Sequence, residues 1–172
     1  MSKIIKPDFK QTAPKSELIT RSRVIGIYRG LKSPALDVIT NKSLMYAIQR
    51  SADKLESVVK LMEPEKVIPD YQQYLNDIRK LNEDLSGGKT IETERGEKVW
   101  DLNYNSLAYR EAVEKINKQY GIDEYDEWIN GEFEENLADF LHYANTKEID
   151  MEKDIPNYGV FKLIHVLFKE KD

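Results

Sequence analysis

The sequence predicts a mainly α fold: an antiparallel helical hairpin plus further helices, a small β-hairpin and an extended amino-terminal arm. Three observations lead there. Beyond residue 40, apolar residues recur every three or four positions over most of the chain. Prolines and glycines interrupt those stripes at helix-length intervals. Residues 1–17 place Lys3, Lys6, Lys10 and Lys15 around Pro7 and Pro14, with too few apolar side chains to bury the stretch against itself. The 172 residues suit one domain, expected as a basic extended arm over 1–32 and a single mostly helical domain over 33–172. At 33% charged and 40% apolar the composition is that of a soluble globular protein.

Taken in order, Val24-Ile25-Gly26-Ile27-Tyr28 is β-branched and aromatic, which predicts a short strand or extended segment. Ser33-Pro34 reads as a cap followed by proline in the first helical position, opening a short turn through Ile39. A long helix is expected from Asn41 to Met62, capped by Thr40, with Leu44, Ile48, Ala52, Leu55, Val59 and Met62 on one face; Pro64 ends it. A second begins near Glu65 or Pro69 and runs to Leu85 on the stripe Tyr71, Leu75, Ile78, Leu81, Leu85, stopped by Gly87-Gly88. The proline link predicts that these two helices form the antiparallel pair. Thr90 to Thr93 and Lys98 to Leu102 flank Arg95-Gly96 as a β-hairpin, anchored by Ile91, Val99 and Trp100. A helix from Ser106 to Tyr120 follows and stops at Gly121. Residues 123–145 are expected to be helical with a break at Asn130-Gly131, Lys147 to Met151 a strand, and Asn157 the cap of a closing helix carrying Val160, Phe161, Ile164, Leu167 and Phe168.

Charge is distributed unevenly. Residues 1–50 hold ten Lys or Arg against Asp8, Glu17 and Asp37, while residues 51–172 hold sixteen basic and twenty-eight acidic residues. A basic leader on an acidic body suits docking on a protein partner or a polyanion. Seven acids (Asp123, Glu124, Asp126, Glu127, Glu132, Glu134, Glu135) run without an intervening base. They form a candidate docking face for a basic arm, from this chain or a partner, with Tyr125 and Trp128 as aromatic anchors. The candidate partner-binding residues are therefore Lys3, Lys6, Lys10, Lys15, Arg21, Arg23, Arg29, Tyr125 and Trp128, the arginines being favoured because a guanidinium fork matches a carboxylate.

Chemistry is harder to find. Cysteine is absent, which excludes disulfides and thiolate metal sites. Ser86-Gly87-Gly88-Lys89-Thr90 ends like a phosphate-binding loop. The first glycine of that motif is replaced by Glu83, however, and the predicted order is helix, loop, strand, whereas a phosphate loop follows a strand and opens a helix. Glu135, Asp139 and His142 would share one helical face, but three ligands on one helix do not surround a metal. His165 reads as a partly buried packing residue. No serine stands in a nucleophile turn. No catalytic residue, metal or cofactor is expected. No stretch is long and apolar enough to span a membrane, and the first residues lack the core of a secretion signal.

The passages Asn41-Lys42-Ser43-Leu44, Tyr71 to Leu85, Phe133 to Leu141 and Lys147-Glu148-Ile149-Asp150-Met151 stand in a fixed order before the final helix. From about Leu44 to Phe168 that order resembles an uncharacterised family of small tailed-phage proteins, from which the basic first forty residues depart. The resemblance implies a phage-encoded protein of the host cytoplasm or the virion, and no catalytic residues. The expected function is a non-enzymatic protein–protein interaction component, a phage accessory or virion-assembly protein docking through its basic arm on its own kind or on another phage or host protein. The alternatives are a nucleic-acid accessory protein using residues 1–32, with Phe9 and Tyr28 for stacking, and a phage inhibitor of a host enzyme using the acidic face.

Overall fold

The computed structural model describes residues 18–169; Lys3, Lys6, Lys10 and Lys15 lie outside them. The chain is mainly helical, with one small antiparallel sheet. Helix α1 spans Arg21–Leu31, a 3-10 turn Pro34–Val38, α2 Lys42–Leu61, α3 Pro64–Val67 and α4 Tyr71–Ser86. Strands β1 (Thr90–Glu92) and β2 (Lys98–Trp100) follow, then α5 (Leu107–Tyr120) and α6 (Ile122–Ile129). After 3-10 turns at Leu137–Phe140 and Thr146–Glu148 come α7 (Met151–Asp154), α8 (Tyr158–Ile164) and a last 3-10 turn, His165–Leu167.

The expected strand at Val24 to Tyr28 is a helix, which moves the start of the helical body from residue 33 to about residue 20. Thr20 caps α1, its side-chain oxygen accepting from the Arg23 amide, and Val24 and Leu31, two turns apart, are buried. Placing β-branched residues in a helix costs only about 0.5 kcal/mol each, whereas burying a Val or Leu side chain returns about 1.5–3 kcal/mol. The extended reading is thereby corrected over Arg21–Leu31.

Helix α2 keeps its expected face: Leu44, Ile48, Ala52, Leu55, Val59 and Met62 are all buried. Its cap is Asn41, not Thr40, because the Asn41 side chain accepts from the Leu44 amide. Its main packing partner is α1, not α4. Helix α4 packs instead on α5, and the β-hairpin joins them. Tyr74 near the start of α4 meets Asn117 and Tyr120 near the end of α5, so this pair is antiparallel. Its seam is thin: among the described residues between 69 and 128, only Ser86 is buried. Leu75 and Leu85, expected in the core, are 40% and 46% exposed.

The core lies elsewhere. It joins residues 24–62 to residues 129–167. Between Gly131 and Asp150 the expected helix and strand are absent and the chain runs in extended steps and 3-10 turns. Asn136, Asn145 and Asp150 each turn a side-chain oxygen onto a backbone amide two residues on, a local bond that competes with continued helix. Side chains of α2 and its cap then hold the segment. The buried Ser51 hydroxyl accepts from the His142 amide at 2.8 Å, Lys54 Nζ donates to the Asp139 carbonyl at 3.2 Å, and Asn41 Nδ2 donates to the Glu148 carbonyl at 2.9 Å. Phe133, Leu137, Leu141, Ala144 and Ile149 are buried in spite of the irregular backbone.

Candidate functional site

The described residues present three candidate surfaces: the acidic face around α6, the joint at the base of the α4–α5 pair, and the far end of that pair.

At the acidic face a basic residue is already seated. Ile19 and Thr20 run antiparallel to residues 131–133: the Phe133 amide donates to the Ile19 carbonyl at 2.7 Å and the Arg21 amide to the Gly131 carbonyl at 3.1 Å. That pairing delivers Arg21 to Trp128. Its guanidinium lies 4.6 Å from the indole centroid, and its Nη1 donates to the Trp128 carbonyl at 2.9 Å. Its Nη2 reaches Glu134 Oε1 at 3.3 Å. Gly131 leaves room for this contact: a Cβ there would stand 2.8 Å from Arg21 Nη1 and 3.0 Å from the Trp128 carbonyl oxygen and would push the guanidinium aside. Tyr125 is also engaged within the chain: its hydroxyl donates to the Met62 carbonyl at 2.8 Å, and burial pushes its pKa up. Of the predicted partner-binding residues, Arg21, Tyr125 and Trp128 are thus brought together and serve internal packing. Arg23 and Arg29 are exposed on α1. Glu135, Asp139 and His142, placed on one helical face in the sequence reading, do not share a helix, and no group able to hold a metal ion occurs among the described residues. His142 meets the Tyr46 ring edge-on at 5.1 Å. His165 is exposed, not partly buried, with Nδ1 2.8 Å from the Lys162 carbonyl. Ser86 to Thr90 are a helix stop and a turn into β1, with Gly87 and Gly88 both at positive φ.

The joint was not legible in the sequence as a site. The chain enters α4 through Asp70 and leaves α5 through Gly121, and both are left-handed, at φ 57 and φ 68. Asp70 is the sole non-glycine residue at positive φ among those described. Both line an open cleft of about 620 Å³ with Pro69, Gln73, Gln119 and Tyr120. The Tyr71 and Tyr74 rings stack at 5.7 Å, and Tyr74 meets Tyr120 at 5.8 Å. The Tyr120 hydroxyl donates to Asp77 Oδ2 at 2.6 Å. That bond, with burial and the nearby charge of Asp77, pushes the Tyr120 pKa from 10.0 up to about 12. Because the folded pKa is the higher one, the link contributes fully below the ordinary tyrosine pKa of about 10 and is lost as pH rises through about 12. We expect Asp77→Asn to return the Tyr120 titration toward its ordinary value. Phenolate absorbance against pH, with Tyr120→Phe identifying the signal, checks this; identical curves for the wild type and Asp77→Asn would refute it.

The far end of the pair is apolar and exposed. Leu85 closes α4, Leu107 opens α5, and Ile91 and Tyr104 belong to the connection between them. They are 46%, 67%, 51% and 44% exposed respectively. The antiparallel run sets these residues at the end opposite the Tyr74–Tyr120 joint.

No helix among the described residues is long and apolar enough to cross a membrane. No family model, no curated protein and no solved structure matches the chain.

Proposed function

We propose that the protein is a non-enzymatic interaction component that associates with a second copy of itself through the α4–α5 pair. One observation carries the reading. Over residues 69–121 the chain builds two long amphipathic helices and a sheet, yet it buries only Ser86 and leaves Leu75, Leu85, Ile91, Tyr104 and Leu107 at the surface. Apolar stripes of this length reach full burial when two antiparallel pairs combine as four helices. Charge favours a like partner. The same stretch holds eight basic and ten acidic residues, so two copies repel one another little, whereas residues 122–172 hold five and fourteen.

Arg21 is seated on its own chain, and the expected arm residues Lys3, Lys6, Lys10 and Lys15 lie outside the described residues; the helical pair is a further contact surface beside the basic leader. The order of parts that resembles small tailed-phage proteins supports an assembly or accessory role in such a particle. Sedimentation of the full chain is expected to give a dimer or larger species, and the double variant Leu85→Glu/Leu107→Glu a monomer of unchanged helical content. A monomeric wild type, or a variant that still associates, overturns the proposal.

A further inference from the structure

The outer face of α4 carries a pattern that the chain itself leaves unanswered. Leu75, Arg79 and Glu83 follow one another at intervals of four residues, so they form one row along the helix, and Gly87 continues that row just past its end. Leu75 is 40% exposed, and Arg79, Glu83 and Gly87 are exposed as well. Arg79 Nη2 donates to Asn76 Oδ1 at 3.3 Å. Among the described residues, neither Arg79 nor Glu83 belongs to an ion pair.

The row is ill suited to its own helix. The last turn of α4 holds Glu83 and Asp84 and no basic residue, although the carbonyl end of a helix favours cations. Arg79 precedes Glu83, and an ion pair within a helix is better with the acid first. Beyond Gly87 the space is open, since a Cβ there would meet no atom within 4 Å. Reversed, however, the row is its own complement. Forward it reads Leu, Arg, Glu, Gly, and backward Gly, Glu, Arg, Leu. A second α4 laid antiparallel and centred at the level of Leu81 therefore meets each arginine with a glutamate and each exposed leucine with the gap over a glycine. A two-fold axis makes every such contact occur twice. A parallel copy would instead set Arg79 against Arg79 and Glu83 against Glu83.

We infer that this row is a recognition surface for the α4 of a second copy in antiparallel alignment, Arg79 against the Glu83 position and Leu75 over the Gly87 position. The inference rests on the self-association proposed above and adds its direction and its selectivity. Exposed ion pairs contribute little affinity, so apolar contacts hold the copies together, while the charges set the register and disfavour partners that lack the matching row. The alignment keeps the exposed far ends of both helical pairs, Leu85 among them, within the shared contact. It sends the two Tyr74–Tyr120 joints to opposite outer ends. The acids in each last turn then lie beside the bases of the other copy, where the dipoles of the two helices oppose one another. Because the surface is self-complementary, the contact closes as a dimer and does not propagate into a filament.

The test measures the dimer dissociation constant of the full chain by analytical ultracentrifugation, for the wild type, Arg79→Glu, Glu83→Arg and an equal mixture of the two variants. Each variant alone is expected to associate about tenfold more weakly, because two attractive contacts become repulsive. The mixture is expected to return close to the wild type, because every contact between positions 79 and 83 of unlike chains again joins opposite charges. Recovery between chains cannot come from a bond repaired within one helix, and a helical circular dichroism spectrum confirms that both variants are folded. Single variants that dimerise as the wild type does, or a mixture that shows no recovery, overturn the alignment and leave the self-association standing. A monomeric wild type overturns the self-association and the alignment with it, so the two failures are told apart.

Discussion

Leu55→Ala is expected to destabilise the protein by about 3 kcal/mol, within the range of about 2–5 kcal/mol for emptying a leucine site in a closed core. Leu55 is 0% exposed on α2, in the cluster that joins residues 24–62 to residues 129–167. The lost methyl groups and the residual cavity both contribute, because α1 on one side and the stitched segment on the other are held by hydrogen bonds and cannot close in freely. For a chain of this size the change corresponds to a drop of about 6–12 °C in Tm. The paired experiment is Leu75→Ala. Leu75 occupies an equivalent place in the stripe of α4 but is 40% exposed. Its truncation removes less buried area and opens no closed cavity, so about 1 kcal/mol or less is expected at concentrations where the chain is monomeric. Urea denaturation of both variants decides the matter. Equal losses would show that the α4–α5 pair is as well covered as the body, and would remove the basis for its role as a contact surface.

The second large effect concerns Arg21. Arg21→Ala is expected to cost about 2–3 kcal/mol, from the loss of a largely desolvated cation–π contact and a charge-assisted hydrogen bond. The side chain is 14% exposed, whereas its carboxylate partner Glu134 is 85% exposed. An ion pair with one partner in water contributes about 0–1 kcal/mol, so Glu134→Ala is expected to be nearly silent. The contrast separates the two parts of the contact. Trp128 and its carbonyl hold Arg21; the acidic charge nearby adds little. Arg21→Lys should lose most of the same stability, because an ammonium cannot both lie flat on the indole and donate sideways to the carbonyl. Chemical denaturation measures all three, and a Glu134→Ala loss equal to that of Arg21→Ala would show that charge pairing dominates instead.

These two sites also show where sequence reasoning succeeds and fails. The C-terminal ends of α2, α4 and α5 and the starts of α2 and α5 were legible to within a residue or two, because they are set by local chemistry such as the left-handed stops Gly87 and Gly121; the cap of α2 was read one residue early, and the start of α4 was left between Glu65 and Pro69. The β-hairpin was legible for the same reason, with Gly96 at positive φ in its turn. Helix α1 was not. Its β-branched run carries the local signal of a strand, and only the bed provided by α2 and α8 makes the helix the better way to bury Val24 and Leu31. Residues 131–150 failed in the opposite sense. Phe133, Leu137, Phe140 and Ala144 have helical spacing, yet Phe133, Leu137 and Ala144 are buried and Phe140 partly buried from a backbone of turns, because Ser51, Lys54 and Asn41 supply hydrogen bonds that a helix would have supplied to itself.

The candidate site divides in the same way. Arg21, Tyr125 and Trp128 were identified from charge and residue type, but the contact of Arg21 with Trp128 depends on the Thr20–Glu132 pairing, which spans more than a hundred residues of chain. The opposite charges of the leader and the acidic run read equally well as a grip on a partner and as an internal contact. The exposed end of the α4–α5 pair could not be read at all, since an amphipathic stripe has the same appearance whether a third layer covers it or none does.

What the sequence determined alone was therefore the set of elements: which stretches are helical by cap and stop, where the sheet turns, and that charge is divided along the chain. The tertiary structure alone decided which stripes are buried, that α1 is a helix, and that Arg21 belongs to Trp128. The reason is one of scale. Caps and turns act over three or four residues at about 1 kcal/mol each, so they are written locally. Burial acts between segments distant in the chain at about 25 cal/mol per Å², and over a whole helix face it exceeds any local preference.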